Sequence, residues 1–187
     1  MRVISGTARG RRLIPPKDRT VRPTSDRVKE ALFSIIASQR GSLEGLSVLD
    51  LCAGTGSLGI EALSRGAGRA LFVDAAKSSV SLIDRNLSAT GFSERSRVVQ
   101  ADCTAILPAL AAKGELFDIA FADPPYSMGI AEKILTQVAS HKLLNADGLL
   151  IIETEDHEEL PKICENLHQT DRRVYGDTAI TIFSNSI

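Results

Sequence analysis

The sequence predicts an α/β fold, a mostly parallel sheet covered by helices on both faces. Three observations predict it. Short apolar runs alternate with stretches whose apolar residues recur at helical spacing. A glycine-rich segment, Gly54-Thr55-Gly56-Ser57-Leu58-Gly59, joins the first apolar run of this alternation to the stretch after it. An acid stands at or just beyond the end of each of the first three runs: Asp50, Asp74 and Asp102.

The elements follow in order. Val3–Ser5 and Arg12–Ile14, with Gly6 and Gly10 between them, read as a small basic hairpin that Pro15-Pro16 ends. Thr24 or Ser25 is a helix N-cap with Asp26 in the first turn. Val28, Ala31, Leu32, Ile35 and Ile36 then lie on one helical face, so a helix runs to about Ser38. Residues 39–45 link it to the main alternation. Strands are expected at Ser47–Leu51, Ala70–Asp74, Arg97–Gln100, Phe117–Ala122 and Leu149–Thr154. Helices are expected between them at Ser57–Arg65, Ser78–Ala89, Thr104–Ala112 and Met128–His141, with another at Glu158–Leu167. Two short strands, near Arg173–Tyr175 and Thr178–Phe183, flank the turn Gly176-Asp177. They place an antiparallel strand at or near one sheet edge.

With 187 residues, 43% of them hydrophobic and 24% charged, the chain fits one domain with a small appendage. Its apolar runs are too short to cross a membrane, and no signal-peptide core opens it. Cys52, Cys103 and Cys164 fit neither a disulfide framework nor a zinc spacing, so a cytoplasmic protein without a metal is expected. The net charge of −1 hides an asymmetry. Residues 1–29 hold nine Lys/Arg and two acids, whereas the remainder carries thirteen bases and twenty-one acids. A basic segment on an acidic domain points to a polyanionic partner held by one face. The division expected is residues 1–40, a basic hairpin and helix, and residues 41–187, the catalytic domain.

The loop after the first strand reads Gly54-x-Gly56-x-x-Gly59, a nucleotide-binding fingerprint. Asp74, at the end of the second strand, suits ribose hydroxyls. Asp50 distinguishes between ligands. A carboxylate there repels a pyrophosphate and favours the ammonium and sulfonium of S-adenosylmethionine. Asp102 is placed to accept from an adenine amine, with Cys103 beside it. Asp50, Ala53, Gly54, Gly56, Asp74, Asp102 and Cys103 are therefore the expected cofactor-binding residues.

The fourth strand ends in Asp123-Pro124-Pro125-Tyr126. Two prolines cannot continue a central strand, so the chain leaves the sheet in a stiff turn. A purine amine is a weak nucleophile because its lone pair is delocalised. Asp123 can accept its hydrogens, the Pro124 carbonyl can do the same, and Tyr126 can stack on the base. A paired base would first have to flip out. These three residues are the expected catalytic group.

These segments resemble the RsmD family of small-subunit rRNA methyltransferases. The resemblance lies in Arg2-Val3-Ile4-Ser5-Gly6, in Arg22-Pro23-Thr24-Ser25-Asp26-Arg27, in the Leu49–Ala67 cofactor segment and in Asp123–Tyr126. Cys52 and Thr55 stand where Phe and Ser are common, and Asp74 where Glu is common. The resemblance implies a seven-stranded, Rossmann-like methyltransferase fold and S-adenosyl-L-methionine as donor. The substrate implied is the N2 amine of one guanine in 16S rRNA, within an assembled or assembling small ribosomal subunit. Arg2, Arg9, Arg11, Arg12, Arg22 and Arg27 would then grip phosphates. A monomer without membrane attachment is expected. Residue chemistry alone also admits a DNA or RNA adenine-N6 methyltransferase, since both amines suit the same turn.

Overall fold

Val48, Leu49 and Leu51 are buried on both sides, which is how the central strand of a parallel sheet reads. The computed structural model describes residues 1–16, 25–126 and 129–185. Its elements are α1 (Asp26–Arg40), β1 (Ser47–Leu51), α2 (Ser57–Ser64), β2 (Arg69–Asp74), α3 (Lys77–Thr90), β3 (Ser96–Gln100), α4 (Leu107–Ala112), β4 (Phe117–Ala122), α5 (Ile130–Ser140), β5 (Leu144–Glu155), β6 (Ile163–Cys164), β7 (Leu167–Tyr175) and β8 (Thr178–Asn185). They form one sheet of order β3-β2-β1-β4-β5-β8-β7-β6. The first five strands are parallel, and β8 enters antiparallel between β5 and β7.

Alternate strand residues face two apolar layers. Val48, Ile119, Phe121, Leu149 and Ile151 join one, together with Phe33 and Ile36 of α1 and Ile60 and Leu63 of α2. Leu49, Leu51, Ala120, Ala122 and Leu150 join the other, under α4 and α5. Val3, Ala8 and Leu13 lie in the first layer, so the basic N-terminal segment shares the core of the sheet.

Several elements differ from their expected form. The N-terminal hairpin is a clip with a single Arg2–Arg12 bridge and no paired strands. Val3 N–H donates to the Arg11 carbonyl and Gly10 N–H to the Val3 carbonyl inside the clip, while Thr7 N–H bonds outward to the Ser64 carbonyl of α2 at 2.8 Å and Ala8 N–H to Ser64 Oγ at 2.9 Å. Gly6, at φ 83°, is pressed so closely on this helix that a Cβ would fall 1.7 Å from the Ser64 oxygen. Ser25 caps α1 by accepting from Val28 N–H at 3.3 Å; Thr24, the other candidate, lies outside the described residues. α4 starts at Leu107 because a turn capped by Asp102 occupies Thr104 and Ala105.

No helix forms over residues 158–167. Leu160 and Leu167 are both buried and stand seven apart, which imitates helical spacing. Pro161 cannot donate within a helix, and Glu165 takes φ 51°, opening a two-residue turn between β6 and β7. This adds an eighth strand to the seven expected.

Candidate active site

The strand order reverses between β1 and β4. From β1 the chain moves outward to β2 and β3, and then returns to the other side of β1 as β4. The connections diverge at that point and leave a crevice beyond the carboxyl ends of the two strands, where such sheets bind ligands. Both sequence motifs open there. The glycine loop follows β1, and Asp123 follows β4, with its N–H directed to the Leu51 carbonyl.

Backbone conformation and carboxylates together shape the loop. Cys52, Gly54 and Gly56 have φ 54°, 56° and 75°, and Gly56 caps α2 in the left-handed region. A Cβ on Gly54 would meet nothing within 4 Å, so this part of the loop faces open space. Asp74 Oδ2 accepts from Gly54 N–H at 2.8 Å, and its Oδ1 accepts from Ala76 N–H at 2.9 Å. Asp74 therefore braces the loop and stands at its rim.

Asp50 lies beneath the loop. It is only 3% exposed and accepts from Gly59 N–H at 2.9 Å. Burial pushes its pKa up to about 7, against the Gly59 bond, and the negative charge of Asp74 adds to the rise. The carboxylate expected to face a cation directly is thus held under the first turn of α2. Asp102 is exposed and spends Oδ1 on Thr104 N–H, Thr104 Oγ and Ala105 N–H. Those bonds hold its pKa below the usual carboxylate range. Cys103 is buried, and its thiol meets that of Cys52. Cys52 is raised by this hydrogen bond and by burial.

Asp123 is half-buried, and Pro124 is buried behind it. Burial pushes the Asp123 pKa up to about 8, and the charges of Glu153 and Asp50 add to it. Tyr126 is 50% exposed, but its hydroxyl is anchored. It donates to Glu153 Oε1 at 3.2 Å and lies 3.1 Å from Thr178 Oγ. The tyrosine is thus fixed at one end while the residue stays open to solvent.

The basic segment is tied to the cofactor loop from below. Glu61 of α2 accepts from the N–H groups of Ile4 and Ser5 at 2.8 and 3.0 Å. Asn86 of α3 accepts from Ile14 N–H at 2.8 Å and donates to the Thr55 carbonyl at 2.9 Å. Arg2, Arg9, Arg11, Arg12 and Arg27 are all exposed. Arg2 pairs with Asp26 at 2.9 Å, and Arg11 donates to the Ala89 carbonyl at 3.0 Å. Arg22 lies outside the described residues.

The structure thus gathers Asp50, Ala53, Gly54, Gly56 and Asp74 around one loop and sets Asp123, Pro124 and Tyr126 beside it, while the arginines lie on the clip and α1. Sequence reading missed Glu153 and Thr178. Glu153 lies in β5, two residues before its end, where it is paired with Ile180 of β8. Among the described residues, no group of three or more His, Cys, Asp or Glu is placed to hold a metal ion. Nor is any described helix long and apolar enough to cross a membrane.

A parallel sheet in this order, continued by antiparallel strands beyond β5, is the Rossmann-like architecture of the S-adenosylmethionine-dependent methyltransferases. The solved structure of yhhF from Escherichia coli superposes with a TM-score of 0.86 at 32% identity, covering 100% of this chain and 98% of that one. The profile of the family described as "Conserved hypothetical protein 95" matches residues 1–184. The chain is 36% identical over 183 residues to YlbH of Bacillus subtilis, covering 98% of each. It is 33% identical over 183 residues to the ribosomal RNA small subunit methyltransferase D of Escherichia coli K12, covering 98% of this chain and 89% of that one. The chain belongs to this family, the RsmD methyltransferases.

Proposed function

We propose that this protein transfers a methyl group from S-adenosyl-L-methionine to the exocyclic N2 amine of a guanine in 16S rRNA of the small ribosomal subunit. The observation that carries the reading is the meeting of two motifs at one switch point: the glycine loop after β1 and Asp123-Pro124-Pro125-Tyr126 after β4. The name of the Escherichia coli relative supports the rRNA substrate.

The residues present fit the donor. Gly54 opens on free space, and Asp74 and Asp102 at adjacent strand ends suit ribose hydroxyls and an adenine amine. Ala53, Gly54 and Gly56 would line the methionine side, and Cys103 the adenine side. Asp50 would act through its field from beneath the loop. Bound there, the donor supplies an activated methyl group on a sulfonium.

The chain's own residues do the rest. Asp123 and the Pro124 carbonyl accept the amine hydrogens and aim the nitrogen lone pair along the line of transfer. Tyr126 stacks on the base, its hydroxyl end held by Glu153 and Thr178. Asp123 takes the amine proton after transfer. Residues 1–40 act as the RNA-binding extension of the methyltransferase domain at 41–187. Arg2, Arg9, Arg11, Arg12, Arg22 and Arg27 meet phosphates, giving affinity and register rather than base choice. The protein works as a monomer in the cytoplasm.

Labelled methyl transfer onto undermodified small subunits, free 16S rRNA and DNA tests the reading. The expected result is label on guanine N2 in small subunits. Label on DNA, or on adenine N6, overturns it.

A further inference from the structure

The turn after β4 accepts an amine, but an amine alone does not separate guanine from adenine. The residue beside it on the next strand does. β4 and β5 are parallel, and their last matched pair is Ala122 with Ile152. Asp123 and Glu153 are the next residue on each chain. Neighbouring strands lie about 4.8 Å apart, and matched residues project to the same face. The apolar layers identify that face. Val48, Ile119, Phe121, Leu149 and Ile151 all belong to the layer under α1 and α2. Asp50, Asp123 and Glu153 follow them by the same alternation. Asp50 near the end of β1, Asp123 just past β4 and Glu153 in the last part of β5 therefore stand on one side of the crevice.

Among the described residues Glu153 forms no ion pair, and its hydrogen-bond partner is the Tyr126 hydroxyl, at 3.2 Å on Oε1. Burial raises its proton affinity, against the Tyr126 hydrogen bond, and burial together with the Glu153 charge raises that of Asp123. Two acceptors held close together call for two donors held close together. The Watson–Crick edge of guanine offers them, since N1–H stands next to the N2 amine. Adenine offers its N6 amine beside N1, a bare acceptor, which an ionised carboxylate repels.

Resting on the guanine reading above, we propose that Glu153 is a specificity-determining residue that accepts from the N1–H of the target guanine while Asp123 accepts from its N2 amine. Tyr126 links the two functions. Its hydroxyl fixes Glu153 Oε1 and leaves Oε2 for the base, and its ring covers the base face. Thr178 of β8, 3.1 Å from the same hydroxyl, completes the support.

The probe is 2-aminopurine, which keeps the N2 amine and lacks N1–H. Wild-type protein first maps the labelled nucleotide in undermodified small subunits. Subunits are then reconstituted with guanine or 2-aminopurine at that position, and kcat/KM is measured for each. Wild type should prefer guanine by roughly 10- to 100-fold, the worth of one hydrogen bond to a charged acceptor. Glu153→Ala should be slower on guanine by a similar factor, with its preference reduced to about threefold or less. Any difference in intrinsic amine reactivity cancels when the two proteins are compared. Glu153→Gln keeps a carbonyl acceptor and nearly the same shape. Should Glu153→Ala not fold, Glu153→Gln carries the test, and its preference should fall by roughly threefold or more. Tyr126→Phe releases Glu153 Oε1 and should lower the preference less than Glu153→Ala does. A preference unchanged in the Glu153 variants overturns the proposal while leaving the guanine reading intact. Methyl found on adenine with wild-type protein overturns the guanine reading itself.

Discussion

Lys29 of α1 and Glu61 of α2 form an ion pair at 3.5 Å with both side chains sealed from solvent. Burial lowers the lysine pKa, and the Glu61 charge opposes the fall. Lys29 Nζ also donates to the Arg2 carbonyl at 2.7 Å, while Glu61 accepts from Ile4 and Ser5 N–H and from Arg65 Nε at 2.8 Å. The pair is the pin between the basic clip and the helix that follows the glycine loop. Glu61→Ala should cost roughly 3–5 kcal/mol, because it strands a buried ammonium and two amides. The double variant Lys29→Met/Glu61→Leu should recover little of it, since the Ile4 and Ser5 amides remain without an acceptor. Urea unfolding gives the energies, and amide exchange at Ile4 and Ser5 reports the clip. Full recovery in the double variant would show that the pair acts by charge alone.

The parallel half of the sheet was legible because buried strands and amphipathic helices carry different periods; β1 and β4 have the very bounds that their apolar runs predict. The cofactor loop and the Asp123 turn were legible from local chemistry, as glycine and proline punctuate a chain wherever they occur. What escaped depended on partners far away in sequence. Nothing near Glu61 shows that its carboxylate will meet amides 56 and 57 residues earlier. Glu153 sits in an ordinary strand, and only the register with β4 places it beside Asp123. Leu160 and Leu167 kept a helical spacing although Pro161 and the Glu165 turn made a strand pair. There the period was a coincidence of two separate burials.

Asp123→Ala should lower kcat by roughly a thousandfold or more, since it removes an acceptor aimed at the reacting nitrogen. Affinity for S-adenosylmethionine, measured by calorimetry, should change by no more than about threefold, because Asp74 and the loop amides are untouched. Asp123→Asn retains one carbonyl acceptor and should fall between. Normal turnover by Asp123→Ala would remove Asp123 from the catalytic group.

Asp50 gives a stability effect of known sign. Its carboxyl rises from 3.8 to about 7 on folding, so the folded protein holds a proton that the unfolded chain has lost. That contribution is complete below about pH 4 and disappears as pH rises through about 7. At about 1.4 kcal/mol per tenfold change in proton affinity, its upper bound is roughly 4 kcal/mol. Asp50→Asn cannot ionise, and its carbonyl can still accept from Gly59 N–H. The stability of this variant relative to wild type should therefore increase between about pH 4 and pH 8. Urea unfolding across that range measures the difference, in which other titrating groups cancel. A difference that does not vary with pH would show that Asp50 ionises as freely folded as unfolded. The same logic applies to the cationic donor. It favours ionised Asp50, so its affinity should rise from about pH 6 to about pH 8, with a proton released on binding.

The arginines on the clip cannot be tested by removing it. Val3, Ala8 and Leu13 are core residues, and deleting residues 1–14 would open the layer that also supports α2. Single truncations avoid this. Arg9 and Arg12 are exposed and make no side-chain bond among the described residues, so Arg9→Ala and Arg12→Ala should leave stability within about 0.5 kcal/mol. If each meets one phosphate, each variant should bind undermodified small subunits several-fold more weakly at about 0.15 M salt. The slope of log affinity against log salt should shrink by about 0.7–0.9 per contact. Donor affinity should not move, because neither side chain reaches the glycine loop. Arg2→Ala should have a smaller effect on the RNA, since Asp26 already neutralises its guanidinium at 2.9 Å. RNA affinity and salt slope unchanged in both Arg9→Ala and Arg12→Ala would place the polyanion elsewhere on the protein. The remaining candidate basic surface would then be α1, where Arg27 is exposed one residue after Asp26.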